Sequence, residues 1–314
     1  MHEIELKFQV DAAVLPALEA RLQGLGAQAQ TMRARYVDSD DRLLARGGFA
    51  LRLRCENGRW VQTLKGRGEG VMQRLEHNAD VLAPPADGEV PALDLGRHAD
   101  SPAGRALQAW LVRAGRNAAE LRLQYETDFL RLAGEIEAER AGGPLRVELA
   151  LDRGSIRSGG CEVPIAELEF ELLAGPPAAL VELARGWVEP FALWLDVRSK
   201  AERGDRLARR APAPVALLPE GGSPKDLVEP LLANAAVLMA GEGRGAHIDA
   251  LLAAMRALTA GALAADPAWS RLLQRLEQAA ATASPQAPAP AEVGPWLRQP
   301  QTQALWLGLL TRAG

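Results

Sequence analysis

The sequence predicts an α+β fold: a strand-rich part that reads as a barrel or a sandwich with a few helices, followed by a small all-α C-terminal domain. Three features carry that expectation. Apolar and charged residues alternate with period two in many short runs before Arg210. Asn57-Gly58 separates two of those runs, as a tight hairpin requires. After Arg210 the charge thins, and Ala and Leu recur at helical spacing.

Taken in order, strands are expected at 2–10, 31–38, 48–56, 59–65, 71–82, 121–133, 144–152 and 163–173, and helices at 11–25, 102–115 and 176–188. The run Arg210-Ala211-Pro212-Ala213-Pro214, followed by Pro219-Glu220-Gly221-Gly222-Ser223-Pro224, has the proline and glycine density of a stiff linker. Three parts follow: residues 1–208 rich in strands, a linker at 209–224, and a helical part at 225–314. The 314 residues are enough for two domains. Helices in the last part are expected at 225–240, 246–264, 267–283 and 296–312, with the Pro/Ala-rich run 284–295 as a flexible connection.

Composition narrows the function. An apolar fraction of 48% and a charged fraction of 24% are globular values, and a net charge of −4 gives no basis for general nucleic-acid binding. Cys55 and Cys161 form no CxxC pair, and the four histidines are scattered, so a metal site built on Cys or His has no support. Charge begins at Glu3, Glu5 and Lys7, unlike a signal peptide, and no apolar run approaches the roughly 18 residues of a membrane span. A cytoplasmic protein away from membranes is expected. Of 36 basic residues only Lys7, Lys65, Lys200 and Lys225 are lysine, which marks places where a compact ammonium is wanted over a planar fork.

The polar faces of the strands are unusual. Glu3, Glu5 and Lys7 share one face of 2–8, with Ile4, Leu6 and Phe8 on the other. Arg52 and Arg54 oppose Leu51 and Leu53; Glu148 and Asp152 oppose Val147, Leu149 and Leu151. Glu167, Glu169 and Glu171 oppose Leu168, Phe170 and Leu172, and Arg74 shares parity with Glu76. A strand with one charged face ordinarily turns it to water. Here two of the strands are purely acidic over their polar face and one is purely Arg, and crowded glutamates repel unless a cation lies between them. Carboxylate oxygens alone select a hard cation, Mg2+ or Mn2+. Arginines and lysines beside such a cation would suit a chain of phosphates, and a closed sheet of about eight strands has room for one small ligand.

The same residues resemble the CYTH superfamily, the triphosphate tunnel metalloenzymes. Glu3-Ile4-Glu5-Leu6-Lys7 carries the ExExK signature. Tyr36 to Asp38, Leu51-Arg52-Leu53-Arg54, Thr63-Leu64-Lys65, Gln73-Arg74-Leu75-Glu76, Leu151-Asp152-Arg153-Gly154, Glu167-Leu168-Glu169-Phe170-Glu171 and Ser199-Lys200-Ala201-Glu202-Arg203-Gly204 follow in family order. The branch most resembled is the bacterial inorganic triphosphatases, in which a CYTH domain precedes a helical CHAD domain. The resemblance implies an eight-stranded antiparallel β tunnel or barrel with flanking helices packed outside. It also implies that Glu3, Glu5 and Glu171 hold a divalent metal, while Glu169, Asp152 and Glu148 hold a second metal or the attacking water. Lys7, Arg52, Arg54, Lys65, Arg74, Lys200 and Arg203 would grip phosphate oxygens. Arg131 joins them more loosely, with Arg122 as its rival. Glu5, Lys7, Lys65 and Lys200 are the expected catalytic residues.

The expected reaction is hydrolysis of inorganic tripolyphosphate to pyrophosphate and phosphate. Alternatives on the same fold are a thiamine triphosphatase, a nucleoside triphosphatase, a class IV type adenylate cyclase, or a polyphosphate-binding module without catalysis. The helical part keeps one His, in His247-Ile248-Asp249-Ala250-Leu251, and lacks the run of arginines of a CHAD domain. It is therefore expected to be a structural or dimerising appendage, with a homodimer as one outcome. Gly66-Arg67-Gly68-Glu69-Gly70 reads as a hairpin connection, with no GK[ST] to make it a phosphate loop. Trp296 and Trp306 read as core.

Overall fold

The alternating runs pair into one antiparallel sheet. The computed structural model describes residues 4–67, 74–81, 90–140, 143–259 and 266–313. Its strands are β1 (Glu5–Gln9), β2 (Gln28–Asp38), β3 (Ala50–Glu56), β4 (Arg59–Arg67), β5 (Arg74–Asp80), β6 (Arg122–Arg140), β7 (Gly143–Ser158), β8 (Cys161–Ala174) and β9 (Trp194–Leu195). The helices are α1 (Leu15–Gln23), α2 (Leu43–Arg46), α3 (Pro102–Ala114), α4 (Pro177–Val188), α5 (Lys200–Arg209), α6 (Pro224–Met239), α7 (Gly245–Leu258), α8 (Pro267–Thr282), α9 (Val293–Arg298) and α10 (Pro300–Ala313).

Strand order is β5-β4-β3-β2-β6-β7-β8-β1-β9. Eight strands were expected; the ninth is a two-residue ladder, Trp194 and Leu195 on Gln9 and Phe8, too short for alternation to reveal. The expected closed barrel is instead an open hydrogen-bonded order, with β5 and β9 at its ends. The sheet still curls, because Lys65 and Glu76 near one end and Leu195 and Asp196 near the other line a single cavity.

The apolar rows drive folding on the outer face. Leu6 and Phe8, Val147, Leu149 and Leu151, and Leu168 and Phe170 are buried with Leu18 and Leu22 of α1 and Leu180 and Ala184 of α4. Each such side chain contributes about 1.5–3 kcal/mol on burial. Leu51 and Leu64 are covered by Leu107 and Leu111 of α3. That helix starts where the Ser101 hydroxyl accepts the Gly104 N–H, and it ends at Gly115 with φ 63°.

The inner face changes character along the strands. One parity runs Asp152, Gly154, Ile156 on β7; Glu169, Glu167, Ile165 on β8; and Arg131, Phe129, Thr127, Tyr125 on β6. Its apolar end is a cluster of Met32, Ala34, Tyr36, Tyr125, Phe129, Ile156 and Ile165, on which Ala201, Leu207 and Ala208 of α5 pack. α5 therefore sits inside the curl, whereas helices were expected outside. No helix was read at 200–209, because its buried stripe is mostly Ala and Gly within a highly charged segment.

Two glycines explain further differences. β6 and β7 were expected to stop at 133 and 152 but run on past Gly134 and Gly154. A Cβ on Gly154 would lie 2.1 Å from the Asp128 carbonyl oxygen, so the residue marks a close approach of strands rather than a break. In α5, a Cβ on Gly204 would lie 2.2 Å from the Tyr125 ring.

The outer core continues without interruption into the C-terminal helices, through Leu231, Leu238, Leu251, Met255, Trp269 and Trp306. Gln303 of α10 accepts the Leu195 N–H at 2.7 Å, which joins the helices to β9. Asn234 holds Ala216 of the linker by both its N–H and its C=O, and the His247 ring lies 3.3 Å from the Pro214 carbonyl oxygen. The run 284–295, expected to be flexible, is tied down. Gly245 and Ala246 N–H groups donate to Ala287 and Pro285, and Ala289 N–H donates to Gly243. Prolines remove donors but leave these carbonyl acceptors in place. Among the described residues no helix is long and apolar enough to cross a membrane.

Because Gly204 lets α5 lie flush on Tyr125, Gly204→Ala should destabilise the fold by about 1–3 kcal/mol. A melting temperature equal to that of the wild type in calorimetry would show that α5 is not seated there.

Candidate active site

Strand register arranges the inner face in transverse rows. Gln9, Glu167, Asp152 and Arg131 stand in one row across β1, β8, β7 and β6, and Lys7 stands opposite Glu169 in the next. Glu5, Glu171, Glu148 and Glu135 form a third row, made only of carboxylates. On the other arm Tyr36 pairs with Arg52, and Ala50, Lys65 and Glu76 align across β3, β4 and β5. A cavity of about 210 Å³ lies between the arms and is lined by Glu5, Lys7, Arg52, Arg54, Lys65, Arg131, Glu169 and Lys200, among others.

Lys200 is the centre of the buried network. Its ammonium lies 2.8 Å from Asp152, 2.7 Å from Glu167 and 2.8 Å from Glu169. Arg131 donates a two-pronged pair to Asp152 at 2.7 Å and reaches Glu169 at 2.5 Å. Burial alone would raise the Glu167 carboxyl, but Lys200, Lys7 and Arg203 together hold it at about 2. Glu169 is likewise held well below the usual range against its burial, by Lys200 and Arg131. The converse holds for the Lys200 ammonium: burial disfavours it, yet Asp152, Glu167 and Glu169 push it well up. Lys200 and Arg131 also lie 5.3 and 5.8 Å from the centre of the Phe129 ring.

The other arm gathers cations. Arg52 donates to the Tyr36 hydroxyl at 3.0 Å, and Tyr36 stacks on Tyr125 with ring centres 4.6 Å apart. Burial and the charge of Arg52 push the Arg54 guanidinium down to about 10. Lys65 pairs with Glu76 at 2.7 Å; against burial, that lysine holds the carboxyl at about 2. Arg54 also pairs with Glu56 at 2.6 Å, and an anion in the cavity would further relieve the repulsion between the two guanidiniums.

The carboxylate row shows the opposite strain. Burial, with Glu135, Glu169 and Asp152 nearby, pushes the Glu148 carboxyl up although Arg131 opposes it. Carboxylate oxygens suit a hard divalent cation, and Glu5, Glu171 and Glu148 are the residues of this row that could hold one. They stand in register without converging: among the described residues no three of His, Cys, Asp and Glu form a metal-holding group.

The remaining expected residues are placed as follows. Glu3 lies outside the described residues, as does most of the 66–70 connection. Arg74 opens β5 opposite Arg67, and its side chain is outside the described residues. Arg131 rather than Arg122 faces inward: their side chains are 18% and 55% exposed, and Arg122 pairs with Asp40 at the surface. Asp152 and Glu169 are engaged by Arg131 and Lys200 rather than grouped with Glu5. Arg203 is not among the residues lining the 210 Å³ cavity; it pairs with Glu167 and donates to the Pro164 carbonyl, on the wall of a second cavity.

Sequence reasoning missed Asp196 and Arg198. The Lys7 ammonium donates to the Arg198 carbonyl, and the Arg198 guanidinium forks onto Asp196 at 2.9 and 2.8 Å. Gln9 bridges Glu167 and Asp196 at 3.0 and 3.1 Å. The alternation of Trp194-Leu195-Asp196-Val197-Arg198 was the one signal for them.

The CYTH domain family matches residues 1–203. Over 210 residues the chain is 27% identical to the inorganic triphosphatase of Haemophilus influenzae, covering 65% of this chain and 54% of that protein. The chain thus spans about half the length of the curated relative it matches. Among solved structures, a Bacillus halodurans protein described as a candidate adenylate cyclase is 22% identical, with a TM-score of 0.43 over 64% of this chain and 96% of that one. A Hippeastrum protein, HpAC1, described as having a dominant triphosphatase activity, is 16% identical, with a TM-score of 0.41 over 70% of this chain and 100% of that one. With the family matched over most of its length, this chain belongs to the CYTH family.

Proposed function

We propose that the chain is a divalent-metal-dependent triphosphatase that hydrolyses inorganic tripolyphosphate to pyrophosphate and phosphate. The observation that supports it most is the convergence of Lys7, Arg52, Arg54, Lys65, Arg131 and Lys200 on one small cavity flanked by carboxylates. Phosphoryl transfer needs positioning and charge stabilisation more than covalent chemistry, and this cavity offers both. Arg52 and Arg54 bind phosphate oxygens as planar forks, while Lys7, Lys65 and Lys200 bind as point charges. Arg131 is fixed by Asp152 and Glu169, so its orientation costs little when substrate enters. Glu5, Glu171 and Glu148 would hold a divalent cation, which when bound supplies a Lewis acid for the phosphate oxygens.

An inorganic substrate is favoured over a nucleotide or thiamine ester by the aromatic rings at the cavity. Tyr36 is stacked on Tyr125 and engaged by Arg52, and Phe129 lies beneath Lys200 and Arg131. Neither ring is open for stacking on a base.

Phosphate release should be fastest with tripolyphosphate when ATP, thiamine triphosphate and pyrophosphate are compared under Mg2+ and Mn2+. It should vanish with EDTA and fall by about a thousandfold or more in Glu5→Gln. Full activity of that variant would overturn the metal assignment, and a preference for ATP would overturn the substrate.

Glu148 gives a pH test. Its folded carboxyl binds a proton more readily than the unfolded one, so its ionisation costs stability as pH rises through the folded value. Glu148→Gln should therefore melt higher than wild type at neutral pH in EDTA, and the difference should disappear in acid. Added Mg2+ should raise the wild-type melting temperature more than that of the variant. Equal responses would remove Glu148 from the cation site.

A further inference from the structure

A second cavity, of about 560 Å³, lies between α5, the linker that follows it and the C-terminal helices. Arg198, Arg203, Arg206, Arg210 and Arg298 line it, against the carboxylates of Asp11 and Glu242. Arg203, Arg206 and Arg210 follow an i, i+3, i+7 spacing, so α5 and its C-terminal cap turn them to one side. The last turn of a helix also favours cations there.

The guanidiniums are unequally paired. Arg198 is balanced by Asp196, and Arg203 by Glu167. Among the described residues Arg206 pairs with Glu242 alone, which also pairs with Arg198 at 2.8 Å. Arg298 donates to the Met239 carbonyl, lies 4.8 Å over the Trp194 ring, and has Asp11 at 3.8 Å. The Arg210 side chain makes no ion pair or hydrogen bond among the described residues. The indole N–H of Trp194, on the same wall, is buried without an acceptor among them. Three guanidiniums therefore share one divided carboxylate and one distant one. Leu207, Val163 and Pro164 add apolar wall, where charge is less screened than in water.

We infer that this cavity is a second anion site, separate from the 210 Å³ cavity, that takes inorganic phosphate or pyrophosphate through Arg206, Arg210 and Arg298. Tetrahedral phosphate oxygens match the forked donors of guanidinium, and such pairs are short and strong. The site needs no metal ion and no hydrolysis, so it stands or falls independently of the triphosphatase reading.

Calorimetric titration of the full chain with pyrophosphate in EDTA should report two sites. Arg206→Ser/Arg210→Ser should weaken one by about tenfold or more and leave the other, together with any tripolyphosphate hydrolysis, unchanged. Arg52→Ala should affect the other site instead. One site in the wild type, lost in Arg52→Ala, would overturn the proposal, as would two unaltered sites in the double variant. Phenylglyoxal labelling of the Arg52→Ala chain, read by mass spectrometry, covers the case in which the double variant fails to fold. Pyrophosphate should protect Arg206 and Arg210, and equal labelling with and without it would overturn the proposal. Titration with orthophosphate then tells which of the two anions the cavity prefers.

Discussion

Lys200 holds three carboxylates at once, and the inner face of the sheet depends on it. Asp152 and Glu167 are fully buried. Charges taken so far from water cost several kcal/mol each unless paired and hydrogen-bonded. The ammonium that compensates them arrives on α5, so docking of that helix and ionisation of the face are one event. Gly204 and the tyrosine pair beneath it serve the same end, because they set how closely α5 approaches.

The two faces of the sheet divide the work. Folding free energy comes from the outer rows, such as Phe8 and Phe170, whose rings meet edge-on 5.6 Å apart. The inner rows are electrostatically frustrated in two opposite ways. Arg52 and Arg54 crowd positive charge, and the Glu148 row crowds negative charge. On the reading proposed above, a phosphate chain would relieve the first and a divalent cation the second. Preorganised charge of this kind contributes most where water is excluded.

Much of this was legible in the sequence because parity on a strand is strict. Parity set Glu5, Lys7, Arg52, Arg54 and Glu169 on one polar face, the family resemblance added Lys65 and Lys200, and all seven line the same cavity. Parity does not name the cross-strand partner, however. Asp152 and Glu169 were expected to hold a second metal or the attacking water; register sets Asp152 opposite Arg131, which also reaches Glu169, and α5 brings Lys200 to both. The ambiguity between Arg122 and Arg131 was also one of register. α5 escaped notice because small residues carry its contact face, and Asp196 and Arg198 because β9 is two residues long. Arg203 was read as a tunnel residue from its motif, but helical geometry turns it toward Pro164.

The tie between Lys7 and the Arg198 carbonyl reaches further than the sheet. Arg198 is gripped on its far side by Glu242 from the turn after α6, and β9 beside it is gripped by Gln303 of α10. An ammonium of the ExExK segment is thereby tethered, at one remove, to helices that share none of its motifs. A chain without those helices would have to anchor that lysine by other means.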